Sequence, residues 1–305
     1  MWRNRVIELL ALGLLLPASA FAGGVTMDQL WPNENGRAWR YDQRYQSFGI
    51  VPQLVDNQVR LIFEGATVAP DGIDTQYLRH ELLSGPAASA ARAEEIADPF
   101  LRVLWQARPD LRSKIRNSLD GNPCPGDAPA GAYALLLNGE FAYLKTGSEI
   151  AAWRCNLANT RSWRWLTSNV SIGSTFVLQL IPDLSNNVFL HGTVAAAEPV
   201  TVPAGNYPNC VRVDYLIDYG SSICVDEEGN PGGTSRAETR GYIHYAPDVG
   251  PVQSFEEFIP EAEVIGSCVS SVGVGEVGAR TTMKLAAPPV AARSTNWGAV
   301  KTIYR

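Results

Sequence analysis

The chain has 305 residues, 46% of them hydrophobic and 18% charged, with 27 Gly, 20 Pro and a formal net charge of −6. This composition builds a core with many turns and argues against disorder, and an acidic balance lacks the basic face that a nucleic-acid partner would require.

The first residues are Met1-Trp2-Arg3-Asn4-Arg5, followed by an apolar run from Val6 to Leu16 and then Pro17-Ala18-Ser19-Ala20-Phe21-Ala22. A basic start, an apolar stretch too short to span a bilayer comfortably and an Ala-x-Ala exit describe a signal peptide over residues 1–22. Cleavage after Ala22 removes Arg3, Arg5 and Glu8, a net +1, so the mature chain would carry −7. No later stretch approaches the length of a membrane helix. The expected location is the periplasm or the exterior.

Residues 23–285 are expected to form a single β-rich domain. Trp39-Arg40-Tyr41, Val59 to Phe63 and Gln76 to Leu78 are short aromatic and β-branched runs between turn residues, a strand pattern. Residues 87–120 break it. Asp98-Pro99 resembles a helix start, Phe100, Val103, Leu104 and Ala107 recur at helical spacing, and Asp120-Gly121 ends the run. A small helical insert packed on the sheet is expected there. Strands then return: Tyr133 to Leu137 and Glu140 to Lys145 flank the tight-turn dipeptide Asn138-Gly139, followed by Phe176 to Ile181, Val188 to Val194, Cys210 to Ile217, Thr239 to Tyr245 and a run near Ala262 to Ser270. Residues 286–305, with Pro288-Pro289, read as a loosely held tail. The fold class is therefore mainly β, a curved antiparallel sheet or half-barrel with a small helical block.

A faint internal echo runs through the chain. Gly36-Arg37-Ala38-Trp39, followed by Val59 to Gly65, has a counterpart in Gly173-Ser174-Thr175-Phe176, followed by Val188 to Gly192. Chance similarity of two β segments and duplication are balanced readings.

Sequence motifs for chemistry are weak. Gly273 to Gly278 spells G-x-G-x-x-G, but only Ala279 to Leu285 follow before Pro288-Pro289, too few for a dinucleotide-binding helix, so no cofactor is expected. His80, His191 and His244 are the only histidines, and no G-x-S-x-G surrounds a serine. His80-Glu81 lacks a second histidine, no cysteine pair has zinc-ribbon spacing, and Asp226-Glu227-Glu228-Gly229-Asn230 does not follow a calcium-loop pattern. No catalytic, cofactor or metal residue is therefore assigned. Trp153, Trp163 and Trp165 beside Arg154, Arg161 and Arg164 read as core packing with arginines reaching outward, or as a platform for a sugar or apolar ligand.

Five cysteines, Cys124, Cys155, Cys210, Cys224 and Cys268, would form two bridges and leave one thiol in an oxidising compartment. A hairpin at Asn138-Gly139 sets Cys124 opposite Trp153, two residues from Cys155, so Cys124 with Cys155 is the expected pair. The second bridge stays open among Cys210, Cys224 and Cys268. Joining Cys210 to Cys224 would need a turn at Asp218 to Ser222.

Two stretches carry a resemblance. Val200-Thr201-Val202-Pro203-Ala204-Gly205-Asn206-Tyr207 with Cys210-Val211-Arg212-Val213 resembles a VPAGTF…CLRV pattern, and Tyr245-Ala246-Pro247-Asp248-Val249-Gly250-Pro251-Val252 resembles YAPGVGPV. The opening Leu30 to Tyr41, with Gly36 and Trp39, is similar to YFPLxxGNxWxY. Together they resemble a broad set of exported bacterial proteins, similar to half-barrels of the lipoprotein-carrier type. That resemblance implies a curved sheet around a helical plug, able to shelter an acyl chain. It also implies structural roles for Gly36, Trp39, Pro203, Gly205, Pro247, Gly250 and Pro251. Asn206 stands where the pattern has Thr, and Asp248 where it has Gly. The leading expectation is an exported non-catalytic protein binding a hydrophobic small molecule or an envelope protein. The alternatives are an exported hydrolase of cell-wall or glycan material using Asp and Glu residues, and a structural surface protein without a ligand.

Overall fold

The structure is a computed structural model. It describes residues 25–48, 52, 54–68, 74–84, 141–145, 149–154, 163–167, 170–179, 188–225, 231–264 and 278–290. The signal peptide, the helical insert at 87–120 and Cys124, Cys155 and Cys268 lie outside the described residues.

A short helix α1 (Met27–Leu30) precedes twelve strands: β1 (Ala38–Ser47), β2 (Leu54–Val68), β3 (Asp74–Ser84), β4 (Phe141–Lys145), β5 (Glu149–Arg154), β6 (Trp163–Thr167), β7 (Thr175–Gln179), β8 (Phe189–Val202), β9 (Gly205–Val225), β10 (Pro231–Ala246), β11 (Gly250–Val264) and β12 (Ala279–Val290). They form one antiparallel sheet in the order β6-β5-β4-β3-β2-β1-β12-β11-β10-β9-β8-β7. Laid flat, eleven gaps at ~4.8 Å would hold its edges about 50 Å apart. Yet those edges are β6 and β7, consecutive in the chain, and the eight steps from Thr167 to Thr175 reach about 29 Å at most. The sheet must therefore curl, and β6 and β7 approach to within 8 Å.

The strand order is two six-stranded meanders in tandem, β1 to β6 and β7 to β12, joined where β1 pairs with β12. The sequence echo falls on their equivalent starts. In the first, the Arg37 amide donates to Glu34 O, the Gly36 amide to Phe63 O at 2.7 Å, and the Phe63 amide back to Arg37 O at 3.0 Å. In the second, the Ser174 amide donates to Ser171 O, the Gly173 amide to Val194 O at 2.7 Å, and the Val194 amide back to Ser174 O at 2.9 Å. Both glycines sit at positive φ, 84° and 87°, which glycine adopts without a Cβ clash. The same turn thus launches β1 and β7.

Side chains alternate across the sheet. Leu61, Val59, Tyr41 and Leu285 face inward at one end, beneath Trp31 and Trp39; Leu178, Leu190, Ile217, Tyr219 and Phe258 face inward at the other. Between these apolar layers runs a polar one: Gln43, Asn57, Ser254, Thr281 and Glu256 are all buried. Its spine is a row of direct neighbours, Phe176, Gly192, Tyr215, Gly241, Glu256 and Thr281. Each glycine lies beneath an aromatic ring. A Cβ on Gly192 would meet the Phe176 ring, and one on Gly241 would meet both the Tyr215 phenol and the Phe255 carbonyl oxygen at 2.5 Å. Glycine lets Tyr215 cross its neighbour strand and donate to Glu256 Oε1 at 2.6 Å.

Two expectations are corrected here, and one condition is not met. The hairpin at Asn138-Gly139 would pair Ala142 with residue 135, but Ala142 is already flanked by Tyr77 on β3 and Trp153 on β5. With Trp153 opposite Ala142, the register that set Cys124 opposite Trp153 does not form. The turn at Asp218 to Ser222 that a Cys210 to Cys224 bridge would need is not there: β9 runs through this stretch with a bulge, Gly220 at φ 72° and its amide donating to Asp218 Oδ1. Finally, residues 286–290 are not loose; β12 continues through Pro288-Pro289, pairing Ala287 with Arg40 and Val290 with Ala38. The β11 to β12 ladder stops at Lys284, so on that side the prolines forfeit no ladder bond.

Gly241→Ala is expected to cost about 1–3 kcal/mol in urea unfolding, because the backbone oxygen it meets cannot swing away. Gly192→Ala should cost less, since the Phe176 ring on a short edge strand can turn. Equal midpoints for the two variants would contradict this account.

Candidate functional site

The resembling motifs meet at one end of the sheet, where β11 parts from β12. From Gly250 to Val252, β11 pairs only with β10, so its outward carbonyls need other donors. β1 supplies them across a sequence separation of 210 residues: Trp39 Nε1 donates to Val249 O at 2.6 Å and Tyr41 OH to Pro251 O at 2.8 Å. The Arg37 guanidinium donates to Asp248 O and Val249 O. The Asp248 amide donates to Gln29 O of α1 at 2.7 Å. Gly250, at φ 100°, lies so close to the Trp39 indole that a Cβ would sit 3.0 Å from it. Asp248 itself has φ 62°, which explains why the pattern favours Gly there. Pro247 sits in the three-residue turn that separates the paired residues Ala246 and Gly250.

Behind this clamp, Trp31 stacks on Trp39 at 6.0 Å, and Phe63 and Tyr245 meet Trp31 edge-on at 6.4 and 6.3 Å. Burial pushes the Tyr41 phenol well above its ordinary pKa, so it remains a donor. Pro203 and Ala204 form the two-residue turn between Val202 and Gly205. Gly205 has φ 141° with open space around it, so backbone conformation and not crowding calls for glycine there. The Ala204 amide donates to Leu285 O at 3.0 Å, satisfying the β12 side of the parting.

The outer face of β8 to β11 carries a charged cluster. His244 Nε2 lies 2.6 Å from Glu198 Oε1, Arg212 Nε donates to Asp214 Oδ1 at 2.6 Å, and the Arg212 guanidinium stands 4.5 Å over the Tyr242 ring, which stacks on Phe255. A groove of about 560 Å³ opens beside it, lined by residues including His191, Thr193, Asp214 and Arg240. His244, hydrogen-bonded to Glu198, holds that carboxyl below the usual range, so it is ionised at neutral pH and does not serve as a proton donor. Cys210 pairs with Glu198 across the ladder. Its buried thiol donates weakly to Tyr207 O at 3.6 Å, and burial with the Glu198 charge pushes its pKa up to about 12, the opposite of an activated nucleophile. Glu238 pairs with Arg240, and Glu256 accepts from Tyr215.

The other singled-out residues are dispersed. His191 is exposed on β8, next to Phe189. His80 lies on β3 opposite Leu61, and Trp153 falls on β5 while Trp163 and Trp165 fall on β6. After Gly278 the chain enters strand β12, not the helix that a dinucleotide site needs. Among the described residues no cluster of three potential metal ligands occurs. The inner pair Tyr215 and Glu256 escaped sequence reading. Alternation in Val211 to Tyr219 marks Tyr215 as inward, but only the register brings Glu256 to it.

Cys210 is a free, buried thiol, and β9 holds Cys210 and Cys224 on one continuous strand, about 45 Å apart. They cannot bridge each other, and Cys210 leaves the set of three candidates for the second disulfide.

Tyr41→Phe takes the side-chain donor from the buried Pro251 carbonyl, and Trp39→Phe leaves the Val249 carbonyl only the longer 3.3 Å bond from Arg37. Tyr41→Phe and Trp39→Phe are each expected to cost about 1–3 kcal/mol in urea unfolding, and a double variant should lose less than the sum because both hold the same turn. Cys210 should resist iodoacetamide in the folded protein at neutral pH and react fully once unfolded, as read by mass spectrometry.

No protein-family model matches the chain, and no curated protein matches it. Among solved structures, a protein described as exported and having a YmcC-like fold, from Bacteroides fragilis, aligns over 88% of this chain and 100% of its own at 12% identity and a TM-score of 0.36. One described as a lipoprotein, from Parabacteroides distasonis, aligns over 86% of this chain and 98% of its own at 10% identity and a TM-score of 0.33. At these values neither assigns an activity to this chain.

Proposed function

We infer that this chain is an exported, non-catalytic protein that holds a hydrophobic ligand, a lipid or acyl chain, or an envelope partner. The observation that carries the reading is the single curled sheet, whose inner wall is apolar over Leu178, Leu190, Ile217, Tyr219 and Phe258. A one-layer sheet must bury such a face against something; these five side chains are already at most 8% exposed within the chain itself, so a ligand or partner chain would take the place of what covers them. Among the described residues no helix is long and apolar enough to cross a membrane. The basic, apolar and Ala-x-Ala start supports periplasmic or secreted location.

Catalysis has little support. The cluster with the most chemistry holds an inert thiol and a carboxylate committed to His244, whereas a glycan hydrolase needs a carboxyl that stays protonated beside an ionised one. The Cys124 to Cys155 bridge remains part of this proposal on grounds of compartment alone.

Native mass spectrometry of gently purified protein should show co-purified lipid that organic extraction removes. A ligand-free protein whose interior is filled by its own side chains would overturn the carrier reading and favour a structural surface role.

A further inference from the structure

The outer face of β8 to β11 holds a concave region that the carrier reading does not use. Direct neighbours across the strands run His191, Leu216, Arg240 in one row and Thr193, Asp214, Tyr242, Phe255 in the next. The groove of about 560 Å³ lies over these two rows, within the ~300–1,000 Å³ range of small-molecule sites. Its depth follows from side-chain length. On β9, Asp214 and Leu216 are shorter than Arg212, Arg240 and Tyr242, which stand around them.

One wall of the groove is locked. The Arg212 guanidinium stands 4.5 Å over the Tyr242 ring, its Nε bound to Asp214 at 2.6 Å and a terminal nitrogen 3.6 Å from Glu198. Tyr242 in turn stacks on Phe255 at 5.6 Å and meets His244 edge-on at 5.1 Å. Side chains fixed in this way have lost their rotamer freedom before a ligand arrives, which lowers the cost of binding one.

The chemistry of the lining selects the ligand. Its charges are compensated, Arg212 by Asp214 and Glu198 and Arg240 by Glu238. An anion would call for cations without such partners, and an acyl chain for walls without charges to desolvate. The groups left unspent are mixed. Asp214 uses Oδ1 for Arg212 and keeps Oδ2 as an acceptor, while the Thr193 hydroxyl and the His191 ring make no hydrogen bond among the described residues. Leu216 and Phe255 add apolar surface beside them. Donors, acceptors and apolar surface at close quarters, without net charge, match a ligand hydroxylated at its rim and apolar on its ring faces.

We propose that this groove binds a neutral saccharide, with Asp214 and Thr193 taking its hydroxyls and Leu216 an apolar ring face. The site lies on the opposite face of the sheet from the inner wall, so it stands independently of the carrier reading. The test uses the whole mature protein on an array carrying neutral oligomers of glucose, galactose, mannose and N-acetylglucosamine beside uronic-acid and sulfated saccharides. Titration calorimetry with the best-retained neutral oligomer then compares variants. Neutral saccharides should be retained, Asp214→Asn should weaken binding about ten-fold and Thr193→Val about five-fold, and Lys284→Gln, on the outer face beyond the groove, should keep the parent affinity. An array that retains no saccharide, or anionic ones only, would overturn the proposal, as would parent affinity in both groove variants. Asp214→Asn also releases Arg212; if its urea midpoint falls, Thr193→Val, which suits a strand, decides alone, and parent affinity in that variant sinks the site.

Discussion

The fold depends on what happens where β11 leaves β12. Where neighbouring strands diverge, backbone carbonyls lose their ladder partners and need other donors. Here Trp39, Tyr41 and Arg37 take the carbonyls of Asp248, Val249 and Pro251, while the Ala204 amide takes that of Leu285. The parting is thereby made compatible with burial. The opening and closing sequence patterns are two halves of one hydrogen-bonded clamp, and the aromatic cluster of Trp31, Trp39, Phe63 and Tyr245 forms around it.

Curvature farther along the sheet has a different source. In the polar layer the sheet thins at Gly192 and Gly241, and Phe176 and Tyr215 fold over the gaps. Side chains missing from the concave face let neighbouring strands turn toward one another, and the covering rings restore the lost contact area. The Tyr215 to Glu256 hydrogen bond then ties β9 to β11 across β10, which resists reopening. The buried Glu256 carboxyl is tolerated within this polar layer because that donor is held in place.

The two meanders share a launching turn but not a fate. The first starts at the zipped β12 to β1 junction and ends on the edge strand β6; the second starts with the same turn on the edge strand β7 and ends at the zipped junction. This asymmetry in an otherwise repeated architecture sets an end built from aromatic packing and carbonyl capture apart from an edge where Ile172 and Val177 face out. The charged outer cluster around Arg212 lies on the opposite face of β8 to β11.

What the sequence determined by itself was local. Alternation and turn residues marked the strands around Trp39 to Tyr41, Val59 to Phe63, Cys210 to Ile217 and Thr239 to Tyr245, because strand period and turn chemistry act within a few residues. Glycines at 36, 205 and 250 announced themselves for the same reason, since positive φ is a local demand. Strand lengths were underestimated in β8 to β11, whose polar outward halves lack an apolar signal, and β12 was hidden by its prolines, harmless only because the ladder with β11 had already ended. The Asn138-Gly139 register failed because both sides of β4 were taken by β3 and β5, a competition between distant segments. Only the tertiary structure decided that Trp39 meets Val249, that Tyr215 meets Glu256, and that β1 zips to β12 while β6 and β7 stay apart. Each of these pairings joins residues whose sequence separation carries no local trace, and register across several strands, not propensity, selects them.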